Sequence, residues 1–207
     1  MNQPSHLMAQ RDDLAILVID VQPYFLDGWM AGNSEPLLAR LTHLFGLATA
    51  YELPCIATFE QPVEKKGWWP EPLEAAFPAH GQKYTKNTFN CCGEPEIFDA
   101  LQSLGRSQLV VAGGETDVCV LQSLLGLIVE GYQVFLLEDC LFSSEPHVGP
   151  AIRRMERAGA IPSTVKTLDY ELRQSVGNPS VKTILEERNA QVQFGDPEEL
   201  PEWRQMP

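Results

Sequence analysis

Runs of aliphatic residues recur along the chain and are typical of strands buried in a parallel sheet. The run "LAILVID" (residues 14–20) is almost wholly apolar, the pattern of a strand that is covered on both faces. Similar runs occupy residues 54–60, 107–113, 132–139 and 160–163. We therefore expect these segments to be strands of one sheet.

Segments with helical spacing separate these runs. In residues 34–53 the apolar positions follow a helical period, with Ser34 as the expected N-cap and Pro36 in the first turn. Further helices are predicted for residues 95–105, 117–130, 145–159 and 180–190. Alternating strands and helices predict an α/β protein with a mainly parallel sheet, which we expect to be a three-layer α-β-α sandwich.

The length of 207 residues suits one well-filled core. We expect a single domain over residues 1–207, with residues 1–12 and 192–207 as tails that are flexible or pack on another subunit. Residues 61–93 are proline-rich and predicted to be irregular. A loop of this length inside a compact domain tends to be functional.

Composition excludes several classes of function. A net charge of −13 opposes binding to a phosphate backbone, so no nucleic-acid partner is expected. The longest apolar-rich window, residues 118–129, is shorter than the roughly 20 residues that a membrane span needs. The first residues lack a basic flank with an apolar core, which favours a cytoplasmic protein over a secreted one.

Cysteine and histidine are placed without the spacing of a disulfide framework or a zinc site. The five cysteines include no C-x-x-C pair, so reduced thiols are expected. The four histidines are widely scattered, and we expect no metal.

Candidate chemistry lies where the strands end, because ligands of open parallel sheets gather beyond the carboxyl ends of the strands. Cys119 follows one strand and Gly113-Gly114, a pair that lets the backbone turn sharply and approach a ligand closely. At the start of a helix, with Thr116 or Asp117 as N-cap, free N–H groups would lower the pKa of its thiol and could hold an oxyanion. The residues alone leave Cys119 equally open to being a small core residue.

Two charged residues could serve such a cysteine. Asp20 ends a wholly apolar strand, where partial desolvation would suit a general base, although a capping role is equally open. Lys86 lies in "KYTKNTFNCC" and could keep a carboxylate and a thiolate ionised. A solvated surface lysine is the alternative, with Lys83 as a neighbouring competitor.

These segments together resemble the isochorismatase-like cysteine hydrolases, a family that includes nicotinamidases and N-carbamoylsarcosine amidases. The resemblance spans about residues 14–163 and rests on "LVIDVQPYFLDG", "KNTFN" and "VVAGGETDVCVLQSLLGLIVEGYQVFLLEDC" followed by "EPH". It implies a six-stranded parallel sheet and a homo-oligomer, which we expect to be a dimer or tetramer. We expect no cofactor.

The resemblance also implies an Asp–Lys–Cys triad, which falls on Asp20, Lys86 and Cys119. It implies a cis peptide between Gly114 and Glu115, which would turn the backbone amides of Glu115 and Cys119 toward one oxyanion hole. The implied reaction is attack by the cysteine on a small amide-like carbonyl, with Asp20 as proton acceptor and a thioester intermediate.

Differences from the motifs of particular family members narrow the range of reactions that we expect. The segment "ATFEQPVEKKGWW" has no histidine before His80, unlike the metal-binding segment of nicotinamidases, so a metal-independent enzyme is expected. Cys119 favours C–N cleavage in an amide, carbamoyl or ureido compound. Vinyl-ether hydrolysis of the isochorismatase type, or a non-catalytic scaffold with the same fold, are the alternatives. Expected pocket residues are Phe25, Glu60, Gln61, Trp68 and Trp69, the tryptophans being alternatively core or interface residues.

Overall fold

The structure is a computed structural model that describes residues 7–188. Within this range, six parallel strands form one sheet in the order β3-β2-β1-β4-β5-β6. The strands are β1 (Leu14–Ile19), β2 (Cys55–Glu60), β3 (Gln82–Lys86), β4 (Gln108–Gly114), β5 (Gln133–Phe142) and β6 (Ile161–Ser163). This confirms the predicted parallel sheet and the six strands that the family resemblance implies.

Helices cover both faces of the sheet. They are α1 (Pro23–Gly28), α2 (Glu35–Tyr51), α3 (Val63–Lys66), α4 (Glu71–Ala76), α5 (Pro95–Ser103), α6 (Leu121–Val129), α7 (Gly149–Ala158), α8 (Val165–Arg173) and α9 (Val181–Glu187). A 3-10 turn at Cys91–Gly93 precedes α5, and a π-helical turn at Thr116–Val120 precedes α6. The predicted three-layer α-β-α sandwich is therefore confirmed.

Strand β1 shows why the central strands are aliphatic throughout. Ile16 and Val18 point into a core formed with α2, α8 and α9, whereas Leu17 and Ile19 point into a second core formed with α5, α6 and α7. Because successive side chains of a strand face opposite ways, a strand between two helical layers needs apolar residues at every position.

The prediction that residues 61–93 are irregular is wrong, because this region contains α3, α4 and β3. Strand β3 lies at the edge of the sheet and pairs only with β2 among the described strands. Its sequence, QKYTK, is mostly exposed, and only Lys86 at its end is fully buried. An edge strand of this kind lacks an aliphatic run, so the pattern that revealed the other strands could not reveal this one. Helix α8 was also not predicted.

The helix ends agree partly with the sequence. Ser34 precedes α2 but its side chain makes no capping bond; Asn33 Oδ1 instead accepts the N–H of Glu35 at 3.0 Å. Gly131 follows α6 with a positive φ of 93°, the conformation expected of a glycine that ends a helix.

Some predictions lie partly outside the described residues. The tail predicted for 192–207 lies wholly outside, as do residues 1–6 of the other tail and the last residues of the helix predicted for 180–190. None of the helices between residues 7 and 188 is long and apolar enough to cross a membrane.

Candidate active site

Three side chains from different strands meet at the carboxyl edge of the sheet. Asp20 follows β1, Lys86 ends β3 and Cys119 lies in the π-helical turn after β4. Lys86 Nζ is 2.6 Å from Asp20 Oδ2 and donates to Cys119 Sγ at 3.4 Å. The three residues are 1%, 0% and 3% exposed, respectively. The structure thus brings together the three residues that the family resemblance selected.

Lys83 and Lys86, the two candidates for the lysine of the triad, have different environments in the structure. Lys83 points outward and pairs with the exposed Glu74 at 2.6 Å. Lys86 points into the protein, where its ammonium group also donates to the backbone carbonyl of Thr88 at 3.1 Å. Side chains alternate along β3, so the odd separation of the two positions places their heads on opposite sides.

Asp20 is held by its neighbour strand as well as by Lys86. The Thr58 hydroxyl donates to Asp20 Oδ1 at 2.9 Å, and the backbone N–H of Asp20 donates to the carbonyl of Thr58 at 3.0 Å. Its φ of 50° turns the chain out of the strand and leaves the carboxylate at the sheet edge. Burial raises the pKa of Asp20, and the charge of Lys86 only partly offsets this.

Burial by itself would lower the pKa of Lys86, but the negative charges of Asp20 and Glu60 and the hydrogen bond to Asp20 outweigh burial and raise the pKa. Lys86 therefore remains an ammonium group at neutral pH. It supplies a fixed positive charge between a carboxylate and a thiol, where a developing negative charge would be stabilised.

The pKa of Cys119 is raised, which makes the expectation of a lowered thiol pKa wrong. Burial is the largest cause, the carboxylates of Asp20 and Glu60 add to it, and Lys86 opposes it. Cys119 does lie near the start of a helical segment, in the π-helical turn Thr116–Val120 that runs into α6, but burial and the two carboxylates outweigh any effect of that helix end. With the site free of substrate, Cys119 is a neutral thiol, and its proton has to be removed when a substrate is bound.

The segment before Cys119 is tied to the end of β5. The peptide between Gly114 and Glu115 is cis, as the family resemblance implies. Three successive side chains then each bond to one residue at or beyond the end of β5: Thr116 Oγ1 donates to Phe142 O at 2.9 Å, Asp117 Oδ1 accepts from Ser143 Oγ at 2.6 Å, and Glu115 Oε1 accepts from Ser144 N at 2.9 Å. Thr116 and Asp117 are therefore anchors of this turn and not the predicted N-caps.

Packing explains the two glycines before this turn. A Cβ on Gly113, which has a φ of 109°, would lie 2.0 Å from the carbonyl oxygen of Ile19 in β1. A Cβ on Gly114 would lie 2.4 Å from the ring of Phe142. From the sequence, both glycines were expected to let the backbone turn sharply and approach a ligand closely. In the structure, a neighbouring protein group occupies the space that a side chain at either position would need.

A second ion pair borders the thiol. Cys119 Sγ donates to Glu60 Oε2 at 3.4 Å, and the other oxygen of Glu60 pairs closely with Lys66 Nζ. Lys66 Nζ also lies 5.4 Å from the ring centroid of Phe25. Glu60, a predicted pocket residue, thus contacts the thiol, and Phe25, another, lies near the counter-ion of Glu60. The role of Lys66 was not foreseen. No periodic pattern marks the last residue of the four-residue helix α3 as a partner of Glu60.

The other predicted pocket residues have different environments. Gln61 donates its backbone N–H to the carbonyl of Lys86 at 2.9 Å, so it joins β2 to β3. Trp69 is buried among aromatic rings, with centroids 4.9 Å from Phe59 and 5.5 Å from Phe45. This environment favours the core alternative for Trp69, and its pocket role stays a prediction. Trp68 is half-exposed and packs edge-on against Phe59 at 4.9 Å.

Asp20, Glu60 and Cys119 each offer one potential metal ligand, and these atoms lie within 4.8 Å of one another. Both carboxylates already face an ammonium group, Asp20 that of Lys86 and Glu60 that of Lys66. A cation at this position would compete with two fixed positive charges, which is in keeping with the metal-independent site expected from the sequence; that expectation stays a prediction.

Comparisons with known proteins place this geometry in a family. Residues 14–167 match the model of the isochorismatase domain. Isochorismatase family protein 2A of Dictyostelium discoideum is 33% identical over 188 residues, covering 83% of this chain and 88% of that protein. The secreted isochorismatase effector Isc1 of Phytophthora sojae is 34% identical over 93 residues, which cover only 44% of this chain and 44% of that protein.

Solved structures agree with the sequence matches. YcaC from Pseudomonas aeruginosa, described with hexane-2,5-diol and covalent acrylamide, has a TM-score of 0.79 and 25% identity, with 89% of this chain and 92% of that chain covered. YcaC from Escherichia coli, described as an octameric hydrolase of unknown specificity, has a TM-score of 0.79 and 26% identity, with coverage of 91% and 96%. The chain therefore belongs to the isochorismatase-like hydrolase family.

Proposed function

We propose that this hydrolase cleaves a C–N bond of a small amide, carbamoyl or ureido compound through a thioester on Cys119. The observation that carries the proposal is the buried contact of Lys86 Nζ with both Asp20 and Cys119, at 2.6 and 3.4 Å. A thiol, a carboxylate and an ammonium group within contact of one another supply a nucleophile, a proton acceptor and a stabilising charge. This arrangement suits acyl transfer.

In the first step, Asp20 takes the proton of the Cys119 thiol as the sulfur attacks the substrate carbonyl. The raised pKa of Asp20 suits it to accept a proton, and the permanent charge of Lys86 favours the new negative charge. The backbone amides of Glu115 and Cys119 hold the oxyanion of the tetrahedral intermediate.

In the second step, the C–N bond breaks and Asp20 returns the proton to the leaving nitrogen, which departs as ammonia or an amine. Water then attacks the thioester carbonyl, Asp20 accepts a proton from that water, and the thiol reforms as the acid product leaves. No step requires a metal or an organic cofactor.

The solved relatives support a nucleophilic thiol and the assembly. Acrylamide, described as covalent with the Pseudomonas aeruginosa protein, is an electrophile that bonds to thiols through its vinyl group, which is in keeping with the nucleophilic cysteine that we propose for this chain. We also propose a homo-oligomer, because the Escherichia coli protein is described as octameric. Light scattering on the purified chain distinguishes an octamer from the dimer or tetramer expected from the sequence.

The test is release of ammonia from a panel of small amides, carbamoyl and ureido compounds, with and without a chelator. Cys119→Ala should abolish release by any compound that the wild type hydrolyses, while the circular dichroism spectrum is unchanged. Cys55→Ala is the matched control, since Cys55 is also buried but begins β2, at the strand end away from the site. Turnover by Cys119→Ala at the wild-type rate would contradict the thiol mechanism.

A further inference from the structure

We propose that Glu60 is a specificity-determining residue, which selects substrates that carry an N–H group on the side of the carbonyl opposite to the leaving nitrogen. Compounds of the form R–NH–C(O)–NH₂ have this group, and simple amides R–CH₂–C(O)–NH₂ do not. The inference rests on the proposed cysteine-hydrolase function and narrows its substrate class to ureido and carbamoyl compounds.

Glu60 is held in one position by several contacts. Its backbone N–H donates to Gln22 Oε1 at 2.8 Å, and Gln22 Nε2 donates back to the carbonyl of Glu60 at 3.2 Å. Lys66 pairs with Oε1, and the side chain of Glu60 is only 16% exposed. The remaining oxygen, Oε2, therefore faces Cys119 Sγ at 3.4 Å as a fixed acceptor.

The contact between Glu60 and Cys119 changes from attractive to repulsive when the thiol loses its proton. In the resting site the S–H group of Cys119 donates to Glu60 Oε2. Once the proton has moved to Asp20, the same carboxylate faces a negative sulfur at close range, and like charges at this distance disfavour ionisation. Glu60 thus opposes formation of the nucleophile unless another donor takes the place of the thiol proton. Low exposure strengthens the effect because water screens the two charges poorly.

The substrate is the source of that donor. A carbonyl carbon poised for attack lies about 3–3.5 Å from the sulfur, so its two substituents come within reach of groups that contact the sulfur. Asp20 protonates the leaving nitrogen, which leaves Glu60 as the carboxylate that faces the other substituent. An N–H there donates to Oε2 and relieves the repulsion. A CH₂ leaves Oε2 without a donor, and sites in which a buried polar atom loses its partner reject such analogues strongly.

The experiment compares isosteric pairs, such as propylurea and pentanamide, that differ only in NH against CH₂ beside the carbonyl. The ratio of kcat/KM for the ureido compound to that for the amide is measured by ammonia release. Glu60→Gln should lower this ratio at least about tenfold, with the amide rate rising, because a neutral side chain does not repel the thiolate. Glu74→Gln, which breaks the exposed pair with Lys83, is the matched control and should leave both rates unchanged.

Lys66→Met provides a second, opposite change. It removes the counter-ion of Glu60 but keeps the carboxylate, so the need for a substrate donor grows and the ratio should rise several-fold. This variant keeps the inference testable should Glu60→Gln fold poorly, which thermal melting reports.

The outcomes separate the two proposals. Equal losses on both compounds in Glu60→Gln would mean that Glu60 accepts the thiol proton or only supports the fold, and the inference would be overturned while the cysteine mechanism stands. An unchanged ratio in both variants overturns it as well. Failure of the wild type to release ammonia from any amide or ureido compound, in contrast, overturns the proposed function and the inference with it.

Discussion

The hydroxyl of Thr58 donates a hydrogen bond of 2.9 Å to Oδ1 of Asp20, across the pairing of β2 with β1. Both residues are buried, so water cannot replace this bond. A donor to a carboxylate favours its charged form, and Thr58 therefore restrains the rise in the pKa of Asp20 that burial causes.

Thr58→Val should raise the pKa of Asp20 further. Because we propose that Asp20 acts as the base in its ionised form, the acidic limb of the kcat/KM profile should move to higher pH, while the plateau at higher pH changes less. The lost buried hydrogen bond should also lower the free energy of unfolding by about 1–3 kcal/mol.

Thr42→Val is the matched control for this change. The Thr42 hydroxyl donates to Leu38 within α2 at 2.8 Å, away from the sheet edge, so its loss should not move the limb. An acidic limb that stays in place in Thr58→Val would show that Asp20 does not govern the pH dependence.

The ion pair of Lys86 with Asp20 is expected to behave as a buried pair, which tolerates joint replacement better than loss of one partner. Lys86→Met or Asp20→Asn alone should lower the free energy of unfolding by about 3–5 kcal/mol. Each should also lower kcat at least about 10³-fold, by comparison with other catalytic triads. The double variant should be more stable than either single variant yet remain inactive. Urea denaturation and ammonia release measure the two effects.

Lys83→Met is the control for a lysine on the same strand. Its pair with Glu74 is exposed to solvent, so its loss should cost no more than about 1 kcal/mol. If the double variant were no more stable than the single ones, the two charges would not be coupled in the way that a 2.6 Å contact implies.

The raised pKa of Cys119 predicts slow alkylation of the substrate-free enzyme. At pH 7, iodoacetamide should modify Cys119 more slowly than a free model thiol, because less of it is thiolate. The rate should keep rising above pH 9, where a model thiol levels off. Mass spectrometry of peptides separates Cys119 from the half-buried Cys92. Faster modification than the model thiol at pH 7 would mean that the resting site holds a thiolate.

This expectation also changes what an inert thiol means. An inert thiol is what a non-catalytic scaffold, one of the alternatives left open by the sequence, would also show. In this site slow alkylation follows from burial and from the carboxylates of Asp20 and Glu60, so it is compatible with catalysis. Activity of Cys119→Ala, and not alkylation alone, distinguishes an enzyme from a scaffold.

Sequence patterns predicted the elements whose environment is uniform along their length. The aliphatic runs of β1 and β4 predict strands that lie between two helical layers. They therefore also predict that Asp20 and Cys119 lie beyond the strand ends. Strand β3 faces solvent along most of its length, so Lys86 was selected only through the family resemblance.

These sequence patterns could not predict contacts that depend on tertiary packing. The pairing of Lys66 with Glu60 joins a short helix to a strand end, and nothing in the local sequence specifies it. The sign of the pKa shift of Cys119 was wrong for a related reason. Burial raises the pKa most, and the carboxylates that add to it come from other strands, whereas the argument from sequence considered only the turn that holds the cysteine.

Gly113 of β4 and Ile19 of β1 are paired in the sheet beside the site. A methyl group on Gly113 would lie 2.0 Å from the carbonyl oxygen of Ile19, and the φ of 109° is one that side-chain-bearing residues rarely adopt. Gly113→Ala should therefore separate the two strands and cost roughly 3–5 kcal/mol of unfolding free energy. Since Asp20 directly follows Ile19, the molecules that still fold should also lose activity.

Gly28→Ala is the matched control, because a Cβ at Gly28 meets no atom within 4 Å and its φ is not positive. Its unfolding free energy should stay within about 0.5 kcal/mol of the wild type, as for most surface substitutions. Urea denaturation gives the stability of both variants and the folded fraction, which allows kcat to be expressed per folded molecule. Wild-type stability in Gly113→Ala would show that β1 and β4 can move apart freely, and full activity per folded molecule would show that the position of Asp20 does not depend on this contact.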